Sequence, residues 1–216
     1  MSEISSVSKR TLKRLPLYLS YLKRLREDGV EFVSAVTMGT VFKMPTTLVK
    51  KDLSVTGLQG VPKVGHRVSD LIDGIEHCLG WDNVTDAFLV GMGNLGRLLF
   101  NYSGVKKSGI QITALFDNDP AVIGTHFKEM EILDVARLPN LAARMKVHIG
   151  IITVPEIAAQ QVANQMVDAG ILAIWNFAPQ FLEVPEGTIV ENSDIYSNLA
   201  PLSHKLKHLL KGEHHD

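Results

Sequence analysis

Apolar residues recur near the start of the chain at the spacing of an α-helix. Pro16 either lies in the first turn of this predicted helix or kinks it. A second amphipathic helix is predicted over residues 68–79 from the same kind of apolar spacing. It is expected to end at Gly80, because glycine commonly follows a helix end. The first helix has leucines at alternating steps of three and four, which predict one buried face: Leu12, Leu15, Leu19, Leu22 and Leu25.

The segment between these helices predicts a short helix and a hairpin. Residues 34–44 mix apolar and polar positions, and Gly39 predicts a turn there. Pro45 can open a short helix that ends near Leu53, because the first helical position needs no N–H donor. Closely spaced glycines around Pro62 then predict a tight hairpin, or wing: Gly57, Gly60 and Gly65.

Strand-like and helix-like segments alternate from residue 85 onward. The predicted strands cover 87–90, 110–116, 147–154, 171–176 and a stretch near 188–191. The predicted helices cover 94–101, a stretch near 119–123 and 156–169, with a shorter strand and helix pair within 126–145. This alternation predicts a doubly wound parallel sheet with helices on both faces.

A glycine-rich turn joins the first of these strands to the helix after it. Its sequence, Gly91-Met92-Gly93-Asn94-Leu95-Gly96, has the order of a dinucleotide-binding turn, whose phosphates meet the helix N-terminus. Asp117 ends the next strand, where a carboxylate binds ribose hydroxyls and disfavours a 2′-phosphate. We therefore predict a Rossmann-type domain that binds NAD(H). The alternative for Asp117 is an ordinary turn residue.

Basic residues are concentrated ahead of this domain. Residues 1–80 carry 12 Lys and Arg against 8 Asp and Glu, although the net charge of the chain is -1. A basic segment with a short helix and a wing is typical of a winged helix-turn-helix that binds double-stranded DNA. The alternative for Lys50 and Lys51 is a solvated helix face. The predicted DNA contacts are Thr46, Thr47, Lys50, Lys51, Ser54, Lys63 and Arg67.

Length and composition favour two domains and a tail. With 216 residues, 45% hydrophobic and 21% charged, the chain is predicted to be α/β: a winged-helix domain over 1–80, a Rossmann-type domain over 81–197, and a C-terminal helix and tail over 198–216. No apolar run approaches the ~18 residues of a membrane span, and the start does not have the pattern of a signal peptide. We expect a cytoplasmic protein. Cys78, the single cysteine, cannot form an internal disulfide.

Two further strand ends supply candidate cofactor contacts: Thr153-Val154-Pro155 and Asn176-Phe177-Ala178-Pro179. The alternative for both segments is an ordinary turn. Catalytic groups are not evident, because neither His126 nor His148 lies at a strand end beside a partner carboxylate. His204 and His208 are spaced as a metal pair, but no third ligand is evident. No metal site is predicted, and a regulator is favoured over an enzyme.

Seven motifs resemble, in family order, the redox-sensing transcriptional repressors of the Rex family, along nearly the full chain. They are Arg14-Leu15-Pro16-Leu17-Tyr18, Lys51-Asp52-Leu53-Ser54, Val90-Gly91-Met92-Gly93-Asn94-Leu95-Gly96, Phe116-Asp117-Asn118-Asp119-Pro120, Thr153-Val154-Pro155, Asn176-Phe177-Ala178-Pro179 and Glu191-Asn192-Ser193-Asp194. The resemblance implies a homodimer whose NADH binding moves the DNA-binding domains out of register with a palindromic operator. It also implies that a helix over 198–211 is swapped onto the partner. It further implies a switch in which Arg14, Tyr102 and Asp194 link the first helix to the nicotinamide end of the site.

The departures from the family pattern lie mainly in the DNA-reading part. The chain has Lys50 and the wing pair Pro62-Lys63 where the family usually has Arg and Arg-Gly. Lys does not reproduce the bidentate fork of Arg on guanine. Ile195 stands where the family commonly has Phe beside the nicotinamide. The alternatives are an NAD-dependent oxidoreductase, a nucleotide- or CoA-binding subunit, or a relative that has lost operator recognition.

Overall fold

The computed structural model describes residues 7–193 and 199–210. The chain divides into two compact units, Met1–Val84 and Thr85–Asp216. The sequence-based boundary at residue 80 lies four residues before this division. Asp194 and Ile195, together with the two ends of the predicted C-terminal helix, Asn198 and Lys211, lie outside the described residues.

The first unit is a small helical bundle with a two-stranded antiparallel sheet. Pro16 lies inside its first helix, which continues past the proline. Leu15, Leu19 and Leu22 of that helix are buried, as their spacing predicts, and Leu25 is half-buried. Leu12, in the first turn, is 37% exposed, so the prediction of a buried position there is wrong. The helix packs against the last helix of the unit. The elements are α1 (Lys9–Glu27), β1 (Phe32–Val33), α2 (Ala35–Phe42), α3 (Thr46–Leu53), a 3-10 turn (Ser54–Thr56), β2 (His66–Arg67) and α4 (Val68–Leu79).

Gly39 lies inside α2, so the turn predicted at this position is wrong. The helix ends instead at Lys43, whose φ of 52° is left-handed. A Cβ on Gly39 would lie 2.9 Å from the Met44 carbonyl oxygen and 3.3 Å from the Thr46 hydroxyl oxygen. The glycine is therefore needed for close approach of the following turn, which brings α3 against α2.

A tight turn forms the wing between α3 and α4. Val61 and Gly65 pair in an antiparallel bridge, and the Val61 N–H donates to the Gly65 carbonyl at 2.7 Å. Lys63 lies at the turn with a φ of 64°, a conformation that glycine adopts more readily than lysine. Strand β2 then pairs with β1, His66 opposite Val33. The predicted hairpin is confirmed.

The second unit contains a seven-stranded sheet. Its strands are β3 (Thr85–Val90), β4 (Ile110–Asp117), β5 (His126–Phe127), β6 (Met130–Asp134), β7 (Ile149–Ile152), β8 (Ala173–Asn176) and β9 (Ile189–Asn192). Their order is β5-β6-β4-β3-β7-β8-β9, and all neighbours are parallel except β5 and β6. From β3 the chain builds first toward β6 and then toward β9, which is the doubly wound arrangement that the alternation predicts.

Helices form between and after the strands at the predicted places, with two exceptions. The stretch 119–123 forms hydrogen-bonded turns, with Val122 and Ile123 both donating to the Asp119 carbonyl; Gly124, at a φ of 80°, ends them before a helix can grow. A one-turn helix that the sequence pattern did not predict follows α5. The helices are α5 (Asn94–Asn101), α6 (Ser103–Lys107), α7 (Leu138–Met145), α8 (Glu156–Asp168) and α9 (Leu199–Leu210).

The last helix, α9, buries none of its side chains in the structure. Its leucines are between 51% and 76% exposed and lie at helical spacing: Leu199, Leu202, Leu206, Leu209 and Leu210. Among the helices that the structure describes, none is both long and apolar enough to cross a bilayer.

Candidate nucleotide and nucleic-acid sites

The glycine turn lies at the carboxyl end of β3, in the middle of the sheet. Strand β4 lies on one side of β3 and β7 on the other, so the chain reverses its winding direction here. Ligands of doubly wound sheets bind outside the strand ends at such a reversal. Gly93 precedes α5 as its N-cap and offers no side-chain cap, so the first N–H groups of that helix have no side-chain acceptor there.

The three glycines of this turn have three different surroundings. Gly91 has a φ of 99°, and a Cβ there would lie 2.8 Å from the Thr153 carbonyl carbon. A Cβ on Gly96 would overlap the Gly91 carbonyl oxygen and lie 3.0 Å from the Thr153 hydroxyl oxygen. A Cβ on Gly93 would meet nothing within 4 Å. Gly91 therefore makes the turn, Gly96 lets α5 approach it, and Gly93 leaves open space for a ligand.

Thr153 fastens the end of β7 to the glycine turn. Its hydroxyl donates to the Val90 carbonyl at 2.9 Å and to the Gly91 carbonyl at 2.7 Å, and its N–H donates to Val90 as well. The Thr153 side chain thus joins the carboxyl end of β7 to the carboxyl end of β3. Val154 is half-buried behind it, whereas Pro155 is exposed as the residue before α8.

Asp117 holds the glycine turn from the β4 side. One carboxylate oxygen accepts from the Met92 N–H at 2.6 Å. The other accepts from the N–H groups of Asn118 and Asp119 at 2.8 and 3.0 Å. The interpretation as a turn residue is therefore confirmed, and the same carboxylate also bonds the backbone of the dinucleotide-type turn. Its contact with ribose hydroxyls stays a prediction.

The remaining predicted cofactor residues differ in what their side chains do. Asn176 is fully buried, and its amide bonds the Ala178 and Gln180 carbonyls, the Ala178 N–H and Asn192. These hydrogen bonds shape the loop after β8 and occupy most of the donor and acceptor capacity of the Asn176 amide. Tyr102, in contrast, is 61% exposed after α5. The buried Met92 side chain packs in the core.

Arg97 is a residue at this site that the sequence reasoning missed. Its Nε donates to the Met92 carbonyl at 2.8 Å, and its guanidinium lies 5.1 Å from the centroid of the Phe127 ring. Met92 is thus held by Asp117 at its N–H and by Arg97 at its carbonyl. The signal in the sequence is an arginine one position after the third glycine, in the first turn of α5.

The predicted DNA-contacting side chains lie mainly on the exposed side of α3. Thr47, Lys50, Lys51 and Ser54 are exposed, Thr46 is half-buried, and Val49 and Leu53 are buried beneath them. In the wing region Lys63 is exposed. Arg67 is exposed as well, and it pairs with Glu31 at 3.3 Å. The surface thus combines hydroxyl and cationic donors, which suit phosphates and base edges. Their contact with DNA stays a prediction.

An ion pair that the sequence reasoning did not foresee joins α1 to α3. The Arg14 guanidinium donates two hydrogen bonds of 2.6 Å to the Asp52 carboxylate, and the Tyr18 hydroxyl donates a third at 2.9 Å. Asp52 and Tyr18 have no exposed surface. The signal in the sequence is a carboxylate three residues after Val49, on the apolar side of α3.

This pairing shifts the pKa values of its members. Burial alone would raise the pKa of Asp52, but the hydrogen bonds from Arg14 and Tyr18 outweigh it and lower that pKa. Burial, followed by the hydrogen bond to Asp52, raises the pKa of Tyr18 to about 12. The hydrogen bond to Asp52 also raises the pKa of Arg14. The pair is charged and Tyr18 neutral at physiological pH. The predicted switch role of Arg14 with Tyr102 and Asp194 stays a prediction.

Metal-binding and catalytic groups were not predicted from the sequence. His204 and His208 are neighbours on α9, with ring centroids 4.4 Å apart. Within residues 7–193 and 199–210, no group of three or more His, Cys, Asp or Glu side chains could hold a metal ion.

Comparison with known proteins identifies relatives over nearly the whole chain. Residues 6–54 match a family model described as a putative DNA-binding protein N-terminus, and residues 82–180 match one described as a CoA binding domain. A redox-sensing transcriptional repressor Rex of Porphyromonas gingivalis is 40% identical over 205 residues, which cover 95% of this chain and 94% of the relative.

Solved structures show the same likeness. The structure described as RSP in complex with β-NAD⁺ and operator DNA matches with a TM-score of 0.87 at 33% identity, covering 98% of this chain and all of the other. RSP in complex with β-NADH matches with a TM-score of 0.85 at 32% identity, covering 96% of this chain and 99% of the other. A third structure describes RSP as a Rex-family repressor.

These matches confirm the predicted fold class, because the similar chains are covered almost completely and their solved structures superpose on this one. They also confirm the preference for a regulator over an enzyme, since the full-length relatives are named as transcriptional repressors. The chain belongs to the Rex family of redox-sensing transcriptional repressors.

Proposed function

We propose that this chain is a cytoplasmic homodimer that binds a palindromic operator through α3 and the wing and leaves it when NADH binds the second unit. The single observation that carries this proposal is the combination in one chain of a basic helix-turn-helix unit and a dinucleotide-type glycine turn. The relatives support the same pairing, because RSP has been solved with β-NAD⁺ and operator DNA and separately with β-NADH.

The glycine turn fits the pyrophosphate of NAD(H). The open space at Gly93 lies at the N-terminus of α5, where unpaired N–H groups and the helix dipole favour phosphate. In our proposal the backbone of residues 93–96 holds the phosphates, and Asp117 accepts from the adenine ribose hydroxyls. A carboxylate at this position disfavours a 2′-phosphate, so NAD(H) is preferred to NADP(H).

The first unit fits double-stranded DNA. Helix α3 presents Lys50 and Lys51 from a scaffold whose opposite side is buried, and Lys63 extends the positive surface to the wing. In our proposal α3 enters the major groove and the wing lysine binds phosphate. Because Lys50 and Lys63 replace residues that are usually Arg and Gly in the family, operator preference is expected to differ from that of other members.

The exposed leucines of α9 support the dimer. A 12-residue helix is marginally stable in water by itself, and α9 buries no side chain. A second copy of the chain would cover the leucine face, and symmetric oligomers of this kind match a palindromic DNA site. The dimer therefore accounts both for the apolar face and for recognition of two half-sites.

Selection of operator DNA from a random pool, followed by gel-shift titration, tests the proposed function. We expect a palindromic consensus that the protein binds with NAD⁺ or without cofactor, and an affinity that NADH lowers by about tenfold or more. Absence of salt-sensitive DNA binding under every cofactor condition would contradict the proposal. An operator affinity that NADH does not change would show that only the DNA-binding half of the proposal holds.

Replacing Lys50 or Lys51 by alanine should weaken binding to operator and random DNA by similar factors. Each lysine that neutralises a phosphate releases counterions, so its loss should reduce the slope of log affinity against log salt by roughly one unit. Gel shifts over a salt series measure that slope. Lys106, which is exposed in the second unit, provides the control Lys106→Ala. An unchanged slope in both α3 variants would exclude phosphate contacts for these lysines.

A further inference from the structure

A fully buried carboxylate lies on the inner side of the predicted DNA-reading helix. Asp52 accepts two hydrogen bonds from Arg14 and one from Tyr18, both residues of α1. We call Arg14, Tyr18 and Asp52 the α1–α3 clamp. Asp52 has no exposed surface, whereas the Arg14 side chain retains 19%. The clamp therefore joins two helices through a nearly buried ion pair.

A buried ion pair is a poor means of gaining stability. Removing two charges from water costs about as much as their attraction returns, and apolar residues of similar volume often stabilise a protein as well or better. The ion pair instead supplies a contact whose strength depends on the relative orientation of the two helices. The two parallel N–H to oxygen bonds from one guanidinium require both groups to lie in a common plane. The apolar contacts of Val49 and Leu53 in the same core are not directional in this way.

This directional contact acts at the position where α3 presents its outer face. Asp52 directly follows Lys50 and Lys51 and comes two residues before Ser54, all three of which are exposed. Rotation of α3 about its axis would turn these side chains away from a groove and would also separate the Asp52 carboxylate from the Arg14 guanidinium. The orientation of the exposed face is thus coupled to the integrity of the clamp.

We propose that the α1–α3 clamp is a positioning device for operator recognition, with Arg14 and Asp52 setting the angle at which α3 meets DNA. The proposal rests on the proposed DNA-reading role of α3. It gives Arg14 a task within the first unit that is different from the cofactor-linked switch role. The two roles make different predictions: a clamp affects operator binding equally with and without NADH, whereas a switch residue alters the NADH response.

A double-mutant cycle on operator affinity tests the clamp. We expect Arg14→Gln and Asp52→Asn each to weaken operator binding roughly tenfold or more, because α3 is correctly oriented in only a fraction of molecules. The double variant should be no weaker than the more affected single variant, since both changes break one interaction. The same factors should appear with NAD⁺ and without cofactor, and the fold-release by NADH should be unchanged.

Random-sequence DNA separates positioning from simple loss of stability. Phosphate contacts tolerate a misplaced helix, so binding to random DNA should fall less than about threefold and the operator-to-random ratio should drop. A parallel fall on both DNAs that matches a loss of folded protein, measured by circular dichroism, would overturn the proposal. If Asp52→Asn does not fold, Tyr18→Phe keeps the ring and removes one hydrogen bond, and it should lower the same ratio more mildly.

The chain offers a matched control in a second ion pair of α1. Lys23 bonds Glu76 of α4 at 2.6 Å, with 30% and 25% of the two side chains exposed. Lys23→Gln and Glu76→Gln should leave the operator-to-random ratio unchanged, because this pair joins α1 to α4 rather than to α3. Unchanged operator binding in Arg14→Gln and Asp52→Asn would overturn the clamp while leaving the proposed function intact. Failure of the wild-type protein to bind any operator would overturn the proposed function itself.

Discussion

Replacing Gly96 by alanine should destabilise the second unit by about 3 kcal/mol or more and abolish NADH binding. The added Cβ would overlap the Gly91 carbonyl oxygen and press on the Thr153 hydroxyl, which itself bonds Gly91. Neither neighbour is the free end of a flexible side chain, so α5 would have to move away from β3. Thermal unfolding and NADH fluorescence measure the two effects.

Gly93→Ala is the matched control within the same turn. Its Cβ would meet nothing within 4 Å, and its φ of -70° is ordinary for alanine. We expect the free energy of unfolding to change by less than about 1 kcal/mol, because the substitution affects only the helix cap. NADH affinity should nevertheless fall roughly tenfold or more, since the methyl group fills the space through which a pyrophosphate approaches the backbone. If the Gly93→Ala protein is stable and binds NADH with normal affinity, the pyrophosphate does not bind against the backbone at residue 93.

Replacing Leu206 by aspartate should convert the protein to a monomer and weaken operator binding by about 100-fold or more. Leu206 lies in the exposed leucine face of α9, and a charge there would have to be desolvated in the proposed interface. A monomer binds each half-site separately and loses the benefit of linked binding. Analytical ultracentrifugation measures the mass, and gel shifts measure the affinity.

His204→Asp is the control for this experiment, because helical spacing places His204 on the side of α9 opposite the leucines. It adds the same charge to the same helix and should leave both mass and operator affinity nearly unchanged. A Leu206→Asp protein that remains dimeric and binds operator normally would show that the leucine face is covered by something other than the second copy. A His204→Asp protein that dissociates would show that the interface extends around the helix.

Much of the fold could be predicted because its signals are local. The leucine spacing of α1, the glycines that precede α5 and follow α4, and the alternation after residue 85 each report on neighbours within a few residues. The fingerprint glycines are informative for the same reason: each role depends on the turn itself or on a helix that begins inside it. The excess of cations before residue 80 likewise needs no tertiary structure to be seen.

Contacts between distant residues could not be predicted in this way. Glycine is a residue type typical of turns, yet Gly39 lies inside α2. Its missing side chain lets the turn after the helix pack closely against it. Thr153 is typical of a loop after a strand, but its hydroxyl bonds a carbonyl 62 residues earlier. Arg14 and Asp52 are 38 residues apart, and a charged side chain on a helix is exposed in most proteins.

By itself, the sequence determined that a basic helix-turn-helix unit precedes a dinucleotide-type sheet, because helix periodicity, glycine turns and net charge are properties of short segments. Only the tertiary structure decided which polar groups satisfy one another. It uses the Asn176 amide to shape a loop, holds Met92 between Asp117 and Arg97, and buries Asp52 beneath α3. The physical reason is that a buried polar group must find its partner in space, and the sequence pattern does not specify that partner.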